Sequence, residues 1–353
     1  MSLRERLIAE IAQTGPISVA DYMHRCLHDP SGGYYATRPA LGADGDFLTA
    51  PLVSQMFGEM LGLWAVETWM RLGSPASFRL VEIGPGDGTL MADMLRAVRR
   101  APGFLDAASV WLVETSQPLI AAQIEKLQNS PADIHWARAV DQVPKGVPVV
   151  VIANELLDCL PARQFIRCAD RWIERLVGIA NGELAFGLAE PFPNPETLVL
   201  EVSPLQEAFG QTLGERIKTD GGAALLIDYG RAEPGFGDTL QALKSHQKVD
   251  PLAHPGEADL TVHADFPLVI AAATTAGITG SEILPQGLFL LRLGLADRAE
   301  ALKAANPDRA AAIDRQFKRL AAPEEMGELF KAACLHQPGF APPGFEPVLA
   351  TVA

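Results

Sequence analysis

Glycines at alternate positions, preceded by a glutamate, form the part of this sequence whose spacing best suits ligand binding. An apolar run, Phe78–Ile83, leads into them and a helical pattern over 90–99 follows, which predicts a strand, a tight loop and a helix. Glycines let a ligand touch the backbone, and the helix N-terminus offers it unpaired N–H groups and a positive dipole end. The residues predicted to bind the ligand are Glu82, Gly84, Pro85, Gly86 and Gly88.

The spacing of these glycines indicates which ligand the loop binds. A dinucleotide fingerprint has two residues between its second and third glycines, whereas only Asp87 separates Gly86 from Gly88. A carboxylate just before the loop suits a ligand with an ammonium group better than one with two phosphates. S-adenosylmethionine, which has a cationic amino-acid end and a neutral nucleoside, fits this description. The alternative is a glycine-rich turn that only packs a strand on a helix.

A second carboxylate, Glu114, ends the short apolar stretch that starts at Ser109. Doubly wound folds often place an acidic residue at the end of the second strand, where it accepts hydrogen bonds from ribose hydroxyls. Glu114 therefore predicts a nucleoside ligand. NAD would use the same carboxylate, so the glycine spacing alone disfavours NAD.

Polar residues also follow the fourth predicted strand, namely Asn154, Glu155 and Asp158. Ligands of such folds bind beyond the carboxyl ends of the strands, so Glu155 and Asp158 are predicted to hold a cation or to take a proton. Asn154 is predicted to face the cofactor. The alternative is that Asn154 caps a helix whose dipole is favoured by the two carboxylates. The residue types fit both hypotheses.

Strand-like and helix-like segments alternate through the middle of the chain, which predicts an α/β fold. The strand candidates are continuously apolar, a pattern typical of a parallel sheet covered on both faces. The five core strands are predicted at Phe78–Ile83, Val110–Glu114, Ile134–Ala137, Val147–Ala153 and Ala223–Tyr229.

Between the fourth and fifth core strands the pattern changes to an antiparallel meander. Its strands are predicted at Arg163–Cys168, Trp172–Ile179 and Glu183–Gly187. The meander is interpreted as a flap or a dimer arm, so a homodimer is a further prediction. The chain then divides into an N-terminal cap of helices and loops (1–75), a core with helical additions (76–160 and 221–353) and the inserted meander (161–220). A closing hairpin is predicted from Leu329–Leu335 and Pro347–Val352.

Composition limits the classes of function. A hydrophobic content of 48% and a charged content of 20% describe a folded chain with a sizeable core. The net charge of −14, with no basic cluster denser than Arg96–Arg100, argues against nucleic-acid binding and tolerates a basic protein substrate.

Targeting and metal signals are weak throughout the sequence. No signal-peptide core or membrane-spanning run is present, which predicts a cytoplasmic protein without membrane insertion. The four cysteines show no pairing motif and are predicted to be buried thiols. His24 and His28 lie one helical turn apart, but no third ligand is nearby, so no metal site is predicted.

Several blocks in the same order resemble the MidA-like methyltransferases over nearly the whole chain. The blocks are Gly33–Tyr35, Gly45–Pro51, Glu82–Leu90, Asn154–Pro161, Ile227–Gly230, Gly237–Leu240, Asp259–Phe266 and Met326–Phe330. Two departures occur. Asp87 stands where the family often has arginine, and Leu156-Leu157 stands where it often has two phenylalanines. The first departure could alter contacts near the loop, and the second could reshape the substrate pocket.

The resemblance implies a class I, Rossmann-like S-adenosylmethionine-dependent fold and methylation of a protein arginine. The mitochondrial family member is a complex I assembly factor, so a complex I subunit is the implied substrate. Glu155, and then Asp158, are expected to grip the guanidinium, because Glu155 resembles the first glutamate of the acidic loop in other arginine methyltransferases. His263 is expected either to assist near the pocket or to cap a helix.

Two other functions stay open at this point. One is S-adenosylmethionine-dependent methylation of a small molecule, favoured if the loops over 34–51 close a tight pocket. The other is an assembly chaperone that binds the cofactor without turnover, which the intact Glu82–Gly88 loop and Glu114 disfavour.

Overall fold

A computed structural model describes residues 1–37, 49–193 and 195–346 of the chain. Most of the predicted loop at Gly45–Pro51, and the second strand predicted at Pro347–Val352, lie outside these residues. Within the described ranges, no helix combines the length and the apolar character needed to cross a bilayer.

Thirteen α-helices occur in the described ranges. They are α1 Leu3–Thr14, α2 Val19–His28, α3 Tyr34–Thr37, α4 Ala50–Val53, α5 Gln55–Arg71, α6 Thr89–Val98, α7 Phe104–Ala107, α8 Gln117–Leu127, α9 Pro204–Asp220, α10 Phe266–Thr274, α11 Gln286–Arg292, α12 Leu295–Ala305 and α13 Ala310–Ala321.

The same ranges contain seventeen strands. They are β1 Ile17–Ser18, β2 Phe78–Ile83, β3 Ala108–Val113, β4 Asp133–Ala137, β5 Val149–Asn154, β6 Arg163–Cys168, β7 Arg171–Ala180, β8 Glu183–Leu188, β9 Val199–Val202, β10 Gly222–Arg231, β11 Gln241–Lys244, β12 Gln247–Val249, β13 Asp259–Thr261, β14 Ala264–Asp265, β15 Thr279–Gly280, β16 Leu284–Pro285 and β17 Phe330–His336.

The central sheet has the strand order β15-β17-β10-β5-β2-β3-β4, with β14 beside β10 and β16 beside β17. The five predicted core strands, β2, β3, β4, β5 and β10, all run parallel. Only β15, β16 and β17 pair antiparallel in it. The predicted mostly parallel α/β fold is therefore confirmed.

Continuous apolar strands form this sheet because both of its faces are covered. Along β5, Val150 and Ile152 pack into the core beneath α5 and α6, whereas Val149 and Val151 pack into the core beneath α9 and α10. Alternate side chains of a strand point to opposite faces, so a strand between two helical layers is apolar at every position.

The predicted meander is present as β6, β7 and β8, which pair antiparallel. Two short strands that the sequence did not indicate, β1 and β9, complete this five-stranded sheet. A third sheet, β12-β11-β13, follows in the part of the core (221–353) for which the sequence predicted helical additions. It packs with α1 and α2 around a core that includes Leu7, Tyr22 and Leu260.

Two local expectations are corrected. No helix follows β5, because the chain turns through residues 155–162 directly into β6, so the hypothesis that Asn154 caps a helix is wrong. The strand β17 pairs with β10 along one edge and with β15 and β16 along the other. Its neighbours are therefore strands other than the proposed hairpin partner.

The crossing of α9 and α10 generates a testable prediction. A Cβ added at Gly214 would lie 2.3 Å from the Ala273 carbonyl oxygen, so Gly214→Ala must push the helices apart. We expect a loss of about 1–3 kcal/mol in the free energy of unfolding, measured by urea denaturation. The control is Gly187→Ala in β8, where a Cβ meets no atom within 4 Å. Equal stability of the two variants would contradict the close crossing.

Candidate active site

The carboxyl ends of β2, β3, β5 and β10 meet at one edge of the central sheet, where a cavity of about 260 Å³ opens. A smaller cavity of about 80 Å³ lies beside it under the glycine loop. Four residues line both cavities, so the two are parts of one site. These are Thr49, Gly84, Gly86 and Glu155.

The glycine loop has a backbone that other residues would adopt only under strain. Gly84, Gly86 and Gly88 have φ angles of 70°, 54° and 83°, all in the left-handed region. Gln123 Nε2 donates a hydrogen bond to the Gly86 carbonyl oxygen at 2.7 Å and fixes the loop against α8. Gly84 and Gly86 line both cavities, whereas Gly88 lines neither.

Among the described residues, two buried oxygen atoms at the smaller cavity find no hydrogen-bond partner. They are Oε2 of Glu82, a residue that is only 2% exposed, and Oδ1 of Asn154. Burial, followed by the charges of Asp87 and Glu114, raises the pKa of Glu82 to about 8. Buried acceptors without donors are costly, so this pair is suited to a ligand that brings N–H donors and positive charge. The ammonium group of S-adenosylmethionine has both properties.

Glu114 lies directly after β3 and lines the larger cavity together with Thr115 and Leu119. Its Oε1 accepts hydrogen bonds from the backbone N–H groups of Thr115 and Ser116, both at 2.7 Å. Burial raises the pKa of Glu114, and these two N–H groups partly offset the rise. The carboxylate is therefore held in place at the position predicted for ribose binding.

Glu155 has a strained backbone at the junction of the two cavities. Its φ angle of 50° lies in the left-handed region, and its N–H donates to the Ile227 carbonyl oxygen at 2.8 Å. The side-chain Oε1 accepts hydrogen bonds from the Ala50 N–H at 3.0 Å and from Asn154 Nδ2 at 3.1 Å. Burial raises the pKa of Glu155 to about 7.

Asp158 lines the larger cavity and is buried among other carboxylates. Burial, followed by the charges of Asp228, Asp259 and Glu155, holds its pKa well above the ordinary value. Its peptide N–H donates to Asp228 Oδ2 at 3.2 Å, and the N–H of Leu157 donates to the same oxygen at 2.7 Å. The turn that carries both predicted catalytic carboxylates is therefore shaped by Asp228.

His263, like Gly88, is a predicted site residue that lines neither cavity. The ring of Tyr229, which lines the cavity, lies edge-on to His263 at 5.5 Å between centroids. The alternative hypothesis, that His263 caps a helix, is wrong because Asp265 Oδ1 caps α10 by accepting the N–H of Leu268 at 3.0 Å. Burial lowers the pKa of His263.

Sequence reasoning missed several residues of the cavity wall. They come from α2, α3, β10 and β13, and they are His28, Tyr35, Tyr229, Asp259 and Thr261. It also missed Asp228, which lies behind the wall. Asp228 follows the buried apolar run 223–227 inside β10, so a search for acids at the end of an apolar run could have found it. Asp259 follows no such strand, and only packing brings it to the cavity.

The charge of the larger cavity is negative. Glu155, Asp158 and Asp259 line one half of it, whereas the only Lys or Arg among its described lining residues is Arg138, which lines it together with Glu114. Buried carboxylates are costly unless they are paired or protonated. Glu155 and Asp158 therefore suit this part of the cavity, the acidic half, to a cationic substrate.

Comparisons with known proteins agree with this geometry. A family model described as a putative S-adenosyl-L-methionine-dependent methyltransferase matches residues 60–283. A crystal structure from Burkholderia thailandensis, solved with S-adenosyl-homocysteine bound, superposes with a TM-score of 0.82 at 28% identity. The superposition covers 98% of this chain and 92% of that one.

Curated relatives match over almost the whole chain. The mitochondrial protein arginine methyltransferase NDUFAF7 homolog of Drosophila melanogaster is 37% identical, covering 94% of this chain and 84% of the relative. NDUFAF7 of Homo sapiens is 34% identical, with coverages of 92% and 81%. Both relatives are mitochondrial proteins, so the prediction of a cytoplasmic location is wrong. The absence of a targeting pattern in the sequence was not sufficient evidence for a cytoplasmic location.

The unpartnered oxygen of Glu82 predicts a pH effect on stability. The pKa of Glu82 in the folded state, about 8, exceeds the ordinary 4.5. The stability that the protonated side chain contributes to the folded state is therefore present at low pH and is lost as pH rises from about 4.5 to about 8. Glu82→Gln should therefore reduce the loss of Tm between pH 5 and pH 8 by at least about 2 °C in ligand-free protein. It should also weaken S-adenosylmethionine binding in calorimetry. Glu215→Gln, on the exposed face of α9, should change neither.

The position of Glu114 predicts its contribution to cofactor affinity. Glu114→Ala removes a charged acceptor, and a hydrogen bond of this kind contributes about 1.5–3 kcal/mol. We expect calorimetry to show S-adenosylmethionine binding weakened about tenfold or more. Glu125→Ala, an exposed residue of α8, serves as the control. Equal affinities for the two variants would remove Glu114 from the cofactor site.

Proposed function

The chain belongs to the S-adenosyl-L-methionine-dependent methyltransferases, and on this premise we propose that it methylates an arginine of a protein substrate. The observation that carries the proposal is the negative cavity joined to the glycine loop. Glu155 and Asp158 line its acidic half, and Arg138 is the only Lys or Arg among the described residues of the cavity wall. A guanidinium is planar, stays protonated and pairs with carboxylates through several N–H groups.

The residues that would hold the cofactor follow from the same geometry. When bound, S-adenosylmethionine supplies an electrophilic methyl group on a sulfonium. Its amino-acid end is assigned to Glu82, Asn154 and the loop, and its ribose to Glu114. The backbone positions assigned to it are Gly84, Pro85, Gly86 and Gly88. The unpartnered oxygens of Glu82 and Asn154 support this assignment.

The chemistry assigned to the acidic half is orientation and proton acceptance. Glu155 and Asp158 would hold the guanidinium so that one nitrogen faces the methyl group, and such positioning supplies much of the rate enhancement. The methylated guanidinium is again a cation, so each transfer releases one proton. Glu155 suits its acceptance because its pKa lies near 7. His263 contacts Tyr229 and is assigned a positioning role behind the wall.

The identity of the substrate is a finer proposal. The family resemblance makes a complex I subunit the first candidate, and the mitochondrial location of the curated relatives agrees with it. Homodimer formation through the antiparallel sheet stays a prediction.

The experiment that tests the function is methyl transfer from labelled S-adenosylmethionine to that candidate subunit, with the modified residue located by mass spectrometry. Label on an arginine supports the proposal. Label on a small molecule alone would favour the alternative substrate class, and cofactor binding without any transfer would favour a chaperone.

Glu155→Gln separates substrate binding from cofactor binding. It keeps the shape of the side chain but removes the charge that holds the guanidinium. We expect S-adenosylmethionine affinity within a few-fold of wild type and methyl transfer reduced about 100-fold or more. The wild-type rate should fall as pH decreases through about 7, because Glu155 becomes protonated.

The matched control is again Glu215→Gln, which should transfer methyl groups at the wild-type rate. Full activity of Glu155→Gln would exclude the assigned role, even if the protein proved to be an arginine methyltransferase.

A further inference from the structure

The acidic half of the larger cavity has an aromatic wall that the proposed chemistry does not yet use. The rings of His28 and Tyr35 stack with centroids 5.8 Å apart and an interplanar angle of 28°, and both residues line the cavity. Burial, together with the nearby His24, lowers the pKa of His28 to about 4, so this imidazole is neutral at physiological pH. The two stacked rings therefore carry no positive charge that would repel a cation.

Asp259 is attached to this wall by a hydrogen bond. The Tyr35 hydroxyl donates to Asp259 Oδ1 at 3.0 Å, across 224 positions of sequence. Burial and the charge of Asp259 hold the pKa of Tyr35 well above its ordinary value, so the phenol stays protonated and acts as the donor. Asp259 is 8% exposed and lines the cavity. Its carboxylate is thus fixed in orientation by Tyr35.

Asp259 approaches the substrate space from a different element than Glu155 and Asp158. It lies at the start of β13, whereas the other two lie in the turn after β5. Its charge raises the pKa of both, which indicates that the three carboxylates share one region. Carboxylates supplied from two elements can meet different edges of a planar cation.

We infer that Asp259, oriented by the Tyr35 hydroxyl, is a further substrate-binding residue that grips the guanidinium together with Glu155 and Asp158, while the His28–Tyr35 stack covers a face of the cation. This inference rests on the proposed arginine methylation. A guanidinium has five N–H donors in one plane and a face that stacks on aromatic rings. A lysine ammonium is a compact point charge with three donors, so this wall selects arginine over lysine.

The test uses the full chain, three single variants and the double variant that combines Asp259→Asn with Tyr35→Phe. Asp259→Asn removes the charge, and Tyr35→Phe keeps the ring but removes the donor. The control is Tyr22→Phe, which also removes a buried tyrosine hydroxyl, in this case one that donates to the Pro251 carbonyl oxygen at 2.7 Å. Tyr22 does not line either cavity, so it reports on the general cost of losing such a bond.

The two probes are N-acetyl-arginine amide and N-acetyl-lysine amide. The binding of each probe is followed by NMR titration in the presence of S-adenosyl-homocysteine. We expect wild type to prefer the arginine probe and Asp259→Asn to bind it about tenfold more weakly or worse. Tyr35→Phe should weaken binding of the arginine probe less than Asp259→Asn does. In the Asp259→Asn background it should have almost no further effect, because the two residues act as one unit. In every variant, the affinity for S-adenosyl-homocysteine should stay within about twofold of the wild-type value.

The outcomes distinguish this inference from the proposed function. Equal arginine affinity in Asp259→Asn and wild type, or a Tyr35→Phe effect no larger than that of Tyr22→Phe, would overturn the inference. Wild type that binds both probes equally would do the same. Selective arginine binding without methyl transfer to any protein would contradict the proposed function alone. If Asp259→Asn fails to fold, the comparison of arginine affinity between Tyr35→Phe and Tyr22→Phe still tests the inference.

Discussion

The acidic turn after β5 depends on one buried carboxylate that does not itself line the cavity. Asp228 accepts the N–H groups of Leu157 and Asp158 with one oxygen and that of Tyr229 with the other. A fully buried carboxylate must keep such donors, so the chain after β5 turns around it instead of entering a helix. This interaction fixes the backbone at Asp158, while Glu155 is held by its own hydrogen bonds to Ile227, Ala50 and Asn154.

Parallel pairing explains why so many acids meet at one edge of the sheet. The strand β5 lies between β2 and β10, and each of the three has an acidic residue near its carboxyl end: Glu82 and Asp228 within β2 and β10, and Glu155 directly after β5. Burial raises the pKa of Glu82, Glu155 and Asp228, so the ligand-free protein pays in stability for keeping them ionised. Binding of cations relieves this cost, and the site is therefore less stable alone than when it is occupied.

The two halves of the site differ in how they are built. Most of the cofactor half is local, because Glu82, the glycine loop and the start of α6 follow one another in sequence; Glu114 and Asn154 are added from the ends of β3 and β5. The acidic half is assembled from distant parts of the chain, since Tyr35 and Asp259 are joined by a hydrogen bond across 224 positions. The antiparallel sheets and α1 and α2, which have no place in the strand–helix alternation of the core, bring these parts together.

The sequence by itself determined the core strands, the glycine loop, Glu114 and the presence of acids after β5, because each depends on local periodicity or on a strand end. Only the tertiary structure decided that no helix follows β5, that His263 lies behind Tyr229, and that Asp259 reaches the cavity. These outcomes depend on hydrogen bonds and packing between segments far apart in the chain. Local residue patterns carry no information about such partners, so the direction of a side chain beyond a strand end is settled only when the sheets have packed.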